Sequence, residues 1–344
     1  MVGWLNRIVR TPAAGLVGVG VTVLGTLAGC ATSESADRRP SRPSVYPYLE
    51  VASSEPQDLA RIRAEARVDG LILAFVVGGG QGCRPVWSRG GEDVAIAELA
   101  VRVKALRRAG GPIWISFGGA GGPDLAQVCD SVEELTAAYR AVVDAYQPDG
   151  IDLDVEGRTL ADPAGNARRV AAVAALQRST AVQGNPLRVS YTLPVAHGGI
   201  PREGVELLKE SIAAGVAVTA VNVMIMNYGW GVADLGDEGV RQAGLAQTLV
   251  RRLWPDLSGR EAWRRVALTV MVGRNDVPGE IFHPADARTV ARFAGTRGIG
   301  WLSYWSVERD RACPQPPPVQ PSWRCSGVAQ RPYEFAGMFR SSGR

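Results

Sequence analysis

The chain has 344 residues, 46% of them hydrophobic and 21% charged, with a formal net charge of +4. That length and apolar content suit one large barrel or two modest domains, each with a sizeable core. A charge this close to neutral, with no basic stripe interleaved with aromatics, gives no support to a nucleic-acid partner.

Residues 1–30 read as a secretion signal. Arg7 and Arg10 supply a positive start, and Pro12 to Leu27 form an apolar run too short for a comfortable membrane span. The run ends in Leu27-Ala28-Gly29-Cys30, which resembles the lipobox of bacterial lipoproteins. The resemblance implies that Cys30 is lipidated, that the protein is exported to the outer face of the cell membrane, and that it meets the membrane only through that anchor. A plain secretory signal with an incidental cysteine is the alternative. Residues 31–44, rich in Ser, Pro and Arg, read as a polar tether ahead of one domain over 45–344.

Beyond the tether, apolar strand-like runs fall at 45–51, 70–77, 112–118, 150–156, 187–193, 218–227, 266–272 and 299–305. Amphipathic helix-like runs lie between them, near 57–67, 93–108, 131–146, 162–178, 203–214, 238–253 and 284–297. In the 131–146 run, Ser131 and Glu134 have capping-box spacing, and Val132, Leu135, Tyr139, Val142, Val143 and Tyr146 make one apolar stripe. A last helix near 332–341 is expected to carry Phe335 and Phe339 inward. Eight strand–helix pairs predict a (β/α)₈ barrel as a single domain. A doubly wound open sheet is the rival, but Gly78-Gly79-Gly80-Gln81-Gly82 does not fit a dinucleotide fingerprint and no Walker motif exists. No cofactor is expected.

Apart from Cys30, four cysteines remain: Cys83, Cys129, Cys313 and Cys325. An even count in an exported chain suggests two disulfides with three possible pairings. Cys83–Cys129 with Cys313–Cys325 is the favoured pairing, the second clipping a Pro-rich loop. With only two histidines and no Cys-x-x-Cys, zinc is disfavoured, and no metal site is expected.

The most informative stretch is Asp149-Gly150-Ile151-Asp152-Leu153-Asp154-Val155-Glu156. Residues two apart on a strand share a face, so Asp152, Asp154 and Glu156 project one way and the aliphatics the other. Carboxylates roughly 6–7 Å apart along one face repel each other, which gains a fold nothing but raises carboxyl pKa values toward the range of a general acid. A solvent-facing surface strand and a calcium site are the plain alternatives; the absence of EF-hand spacing weakens the second. In a barrel, Glu156 falls at the C-terminal end of strand four, where such folds keep their chemistry.

This stretch resembles the D-x-x-D-x-D-x-E signature of glycoside hydrolase family 18, the retaining chitinases and their relatives. Ser116-Phe117-Gly118-Gly119 resembles the family's S-x-G-G on strand three. Met226-Asn227-Tyr228 resembles its strand-six Met and Tyr, and Trp305 resembles the tryptophan flooring the pocket on strand eight. The resemblance covers most of 45–340, and the stretches around 73–87 and 271–276 look like a bacterial and archaeal subgroup. It implies hydrolysis of β-1,4-linked N-acetylglucosamine polymers or oligomers by a monomer. Glu156 would be general acid and base, and the substrate's own acetamido oxygen the nucleophile. Asp154 would orient the acetamido N–H, Asp152 would share a proton with Asp154, and Tyr228 would donate to the acetamido carbonyl. Trp305, Met226, Asn227, Ser116, Gly118 and Gly119 would line the substrate site, the Ser-x-Gly-Gly corner in a mainly structural role. Close relatives commonly carry an acid beside the strand-six tyrosine; this chain has Asn227. An endo-β-N-acetylglucosaminidase acting on glycans or cell-wall sugars is the first rival, and a sugar-binding lectin of the same fold the second. The lectin reading is weakened by the presence of Glu156. Trp87, Trp230 and Trp301 stand open between sugar contact and packing.

Overall fold

The chain is described here by a computed structural model covering residues 42–341 other than 54–61, 63, 81 and 317. The leader, Cys30 and most of the tether lie outside the described residues. Eight parallel strands form the barrel: β1 (Tyr48–Glu50), β2 (Leu71–Gly78), β3 (Ile113–Gly118), β4 (Gly150–Asp154), β5 (Arg188–Pro194), β6 (Val218–Met224), β7 (Val266–Met271) and β8 (Trp301–Trp305). Each pairs with the next in sequence, β1 with β2 through β7 with β8. Ser44–Val45 pairs in parallel with Trp301 and Leu302 of β8 and closes the ring.

The expected strand over 45–51 is split. Tyr46 N–H donates to Leu302 O at 2.9 Å, the chain passes Pro47, and Tyr48–Glu50 then pairs with Ile72–Ala74 on the other side. Proline has no N–H to give a ladder, so it suits the point where pairing changes neighbour. The tether also ends earlier than its composition predicts. Arg42 makes two 2.7 Å bonds to Asp69, and Ser44 is already in a strand.

Among the described helices, α1 (Ala100–Arg108), α2 (Leu125–Val128), α3 (Val132–Tyr146), α4 (Gly157–Leu160) and α5 (Pro163–Val182) precede β5. After β5 come α6 (Arg202–Ala213), α7 (Leu235–Leu253), α8 (Gly259–Arg265), α9 (Pro284–Arg297) and α10 (Glu334–Arg340). The helix expected over 57–67 falls partly outside the described residues. The one expected over 93–108 is shorter, because Pro85–Arg89 and Glu92–Ala95 form an antiparallel hairpin on the edge of β2. Gly90 and Gly91, both at positive φ, make its turn. Trp87 is buried there, its Nε1–H donating to Tyr146 Oη at 2.7 Å, so it serves packing. Ser131 Oγ caps α3 by accepting from Glu134 N, but the Glu134 carboxylate takes the N–H of Asp130, so the box is only half formed. None of the described helices is long and apolar enough to cross a membrane.

The alternation read in β4 holds. Ile151, Leu153 and Val155 join the core between barrel and helices, each fully or almost fully buried. Burial of such side chains is worth about 1.5–3 kcal/mol each. The barrel's lower interior holds Ile72, Trp114, Ala220, Ala267 and Trp301, with the two indoles 5.4 Å apart, so Trp114 and Trp301 are core. Gly150 sits under them: a Cβ there would lie 2.5 Å from the Trp114 ring. Phe335 and Phe339 of α10 are fully buried, as the sequence predicts. Both favoured disulfides are present, Cys83–Cys129 and Cys313–Cys325.

Candidate active site

Three acids enter the site from β4 and the residues just past it. The strand ends at Asp154, yet Val155 N–H still bonds Thr192 O at 3.0 Å, and Glu156 stays extended at φ −139°. The parity of 152, 154 and 156 is therefore kept. Asp154 and Glu156 line a cavity of about 290 Å³ at the C-terminal mouth of the barrel.

Asp152 lies beneath them, fully buried. Its Oδ2 accepts from Ser116 Oγ at 2.7 Å and Tyr48 Oη at 2.9 Å; its Oδ1 accepts from Ser190 Oγ at 2.6 Å and Thr192 Oγ1 at 2.8 Å. Burial pushes its pKa up, and the four hydroxyls oppose that. Both of its oxygens accept from hydroxyls, and its charge is one of the influences on Asp154. Asp154 is pushed well above the usual carboxylate range, first by burial, then by Glu156, Asp152 and Asp124. Its Oδ1 is buried with no hydrogen-bond partner among the described residues. Glu156 is raised too, by burial and then by the charge of Asp276, which lines the same cavity.

An aromatic floor faces the acids. The Trp305 ring stacks on Phe75, centroids 5.4 Å apart at 18°, and Tyr48 lies 6.2 Å from Trp305. Met226 and Asn227 line the wall as expected, joined by Met224, Met271 and Asp276. Ser116, Gly118 and Gly119 do not line the cavity; they hold it from behind. Ser116 binds Asp152. Gly118, at φ +99°, lets the Asp154 carbonyl approach where a Cβ would stand 2.2 Å from it. A Cβ on Gly119 would meet the Phe75 ring at 2.8 Å.

Tyr228 is not where the resemblance puts it. Met224 and Met226 alternate inward, which would carry Tyr228 inward as well. Asn227 instead adopts φ +50° and turns the chain. Tyr228 is left outside the cavity, its ring 5.0 Å from Trp230, within reach of charges on Glu238, Glu280 and Arg241. Trp230 in turn packs 5.9 Å from His197, and neither of the two lines the cavity.

Asn227 makes a reciprocal contact. Its Nδ2 donates to Asp276 Oδ2 at 3.1 Å, and its Oδ1 accepts from Asp276 N at 2.8 Å. Glu280 accepts from Tyr228 N at 2.8 Å and Gly229 N at 2.7 Å. Behind β4, Arg169 pairs with Asp124 at 2.9 Å, both buried. Sequence reasoning assigned no role to Tyr48, Phe75, Asp276 or the Arg169–Asp124 pair. The first two could have been suspected as aromatics within strands one and two.

A raised carboxyl beside an aromatic platform, in a cavity with buried acids below, suits proton transfer to a sugar's bridging oxygen. No protein-family model matches the chain. A probable bifunctional chitinase/lysozyme of Escherichia coli (strain K12) is 34% identical over 274 residues, 77% of this chain and 30% of that protein. Endochitinase 11 of Metarhizium anisopliae is 33% identical over 273 residues, 77% of this chain and 52% of that one. The chain thus spans from under a third to about half of the length of these curated relatives. Among solved structures, catalytic site mutants of active domain 2 of the thermostable chitinase from Pyrococcus furiosus, complexed with chito-oligosaccharides, match with a TM-score of 0.77 at 27% identity. The match covers 88% of this chain and 96% of that one. The acidic strand, its aromatic floor and these likenesses place the chain in the chitinase-like glycoside hydrolase family 18.

Proposed function

We propose that the chain hydrolyses β-1,4-linked N-acetylglucosamine polymers and oligomers with retention, Glu156 acting as general acid and then as base. The observation that carries this reading is Glu156 in one small cavity with Asp154 and the Trp305–Phe75 stack. A sugar ring seated on Trp305 presents its bridging oxygen to the Glu156 carboxyl. Glu156 gives that oxygen its proton, and the C1–O bond breaks. The substrate's acetamido oxygen bonds C1, forming an oxazolinium. Glu156, now ionised, takes a proton from water, whose oxygen opens the ring at C1. Asp154, with a free Oδ1, is the group available to orient the acetamido N–H. Tyr228 has no part in these steps.

The likeness to a domain solved with chito-oligosaccharides supports the substrate class. A cavity of about 290 Å³ is small for a ligand site, so it suits one sugar unit, with the rest of a chain lying outside it. The test is release of a chromophore from N-acetylglucosamine oligomers. Turnover abolished in Glu156→Gln supports the reading; binding without turnover in the unaltered protein points to a lectin and overturns it.

A second reading is cleavage of cell-wall glycans, favoured by the chitinase/lysozyme name of the Escherichia coli relative. Faster release from peptidoglycan than from a chitin hexamer would select it. Export and lipid anchoring at Cys30 complete the proposal, supported by the leader sequence. Metabolic labelling with a fatty-acid analogue, lost in Cys30→Ala, tests the anchor.

A further inference from the structure

We propose that Asp276, held by Asn227, is the positioning carboxylate that keeps the proton on Glu156 until the glycosidic bond breaks. The inference rests on the hydrolytic reading above.

Asp276 belongs to the segment after β7, far in sequence from the acidic strand, yet it lines the same cavity as Glu156. The segment is fastened at several points. Asn275 Oδ1 accepts from Asn227 N at 3.1 Å, and Asn275 Nδ2 donates to Met271 O at 2.9 Å and Gly273 O at 3.0 Å. Glu280 takes the amides of Tyr228 and Gly229. The buried Arg309 guanidinium donates to Val272 O at 3.0 Å and to Arg274 O. A side chain on so fixed a segment holds its place without the ordering cost of a mobile loop.

The identity of residue 227 decides what Asp276 can do. Asn227 gives the Asp276 carboxyl one N–H and accepts from its backbone amide, so the contact asks no proton of Asp276. An acid at 227 would set a carboxylate about 3 Å from Asp276. Two carboxylates that close share one proton, and the fixed charge facing Glu156 would be blurred. With asparagine there, the Asp276 carboxyl is held at the wall of the cavity that Glu156 also lines. The charged groups around this point are Asp154 on β4, Asp276 on the β7 segment, and Arg309 behind Asp276 on the β8 side. Burial is the larger influence on Glu156 and Asp276 the next, both opposing its ionisation. Asn227, just past strand six, thus holds a carboxyl that comes from beyond strand seven.

The experiment is the pH dependence of kcat/KM on a chitin hexamer for the unaltered protein, Asp276→Asn and Asn227→Ala, with hexamer affinity measured separately by calorimetry in the Glu156→Gln background of each. Asp276→Asn keeps the size and an acceptor for Asn227 but removes the charge. Its basic limb is expected to fall by roughly 0.5–1 pH unit. Asn227→Ala, which frees Asp276 to turn to solvent, is expected to move the limb the same way by less. Affinity stays within about threefold in both. An unmoved limb in Asp276→Asn, with turnover intact in the unaltered protein, overturns the inference alone. Absence of turnover in the unaltered protein overturns the hydrolytic reading instead. A purely structural role would lower the rate at every pH and leave the limb in place, and that result also overturns the inference.

Discussion

Tyr48 on β1 donates its hydroxyl to Asp152 on β4 at 2.9 Å, across the inside of the barrel. The same hydroxyl lies 2.8 Å from Thr192 Oγ1 of β5, so one side chain ties three strands beneath the site. Tyr48→Phe removes one of the four hydroxyls on Asp152. The expected result is a loss of about 1–3 kcal/mol in stability, with weaker turnover, since Asp152 keeps three donors but loses the one from β1. Urea denaturation of the two proteins checks it; equal midpoints would contradict the arrangement.

Asp154 carries a second prediction, with a pH sign. Its folded pKa lies well above the ordinary value, first because of burial. The protonated form is therefore favoured in the fold, and the unfolded chain releases that proton at lower pH. Stability linked to Asp154 is fully present below the ordinary carboxyl pKa and is lost as pH rises through the window up to the raised folded value. Asp154→Asn removes the titration, so the variant should gain melting temperature over the unaltered protein at neutral pH and lose that advantage in acid. Its turnover should fall by at least about a hundredfold if it orients the acetamido group. Thermal melts at two pH values, with one rate measurement, separate the effects.

Arg169 and Asp124 form a buried ion pair at 2.9 Å behind β4. Arg169→Met alone leaves Asp124 buried without its cation and should cost about 3–5 kcal/mol. Removing both charges together, with Asp124→Asn, should cost less than the single change, because no lone charge remains. The four-way comparison by chemical denaturation decides it. Additive losses would show that the two charges do not act as a pair.

The disulfides differ in reach. Cys83–Cys129 spans 46 residues and Cys313–Cys325 spans 12. Restriction of the unfolded chain predicts about 4 kcal/mol for the first and about 3 kcal/mol for the second. Paired Cys→Ser variants, each compared by denaturation with the unaltered protein, test both the size and the order.

Trp305 stacks on Phe75 at the floor, so Trp305→Ala should weaken oligosaccharide binding by about tenfold or more and disturb the Phe75 ring. Binding unchanged in calorimetry would remove Trp305 from the sugar site.

The barrel was legible because each strand is a run of apolar or alternating residues bounded by turn formers, and that pattern survives without knowledge of neighbours. The acidic face of β4 was legible for the same reason of parity. Tyr228 was misplaced because parity fails at one residue: Asn227 at φ +50° reverses the sides, and nothing in Met-Asn-Tyr announces that turn. The hairpin at 85–95 was half hidden, since Glu92–Ala95 reads as well into a helix as into a strand. The hydroxyls around Asp152 come from β1, β3 and β5, and Asp276 comes from beyond β7. Such convergence is created by ring closure, which no local pattern contains.

Ser44 and Val45 meet their partners Trp301 and Leu302 more than 250 residues later. During synthesis, or passage through any narrow channel, Ser44 and Val45 remain bonded to water in place of their strand partners until residues 301 and 302 have emerged. A pairing so distant is formed late, because the entropy of closing the long loop is lost before its contacts reward it.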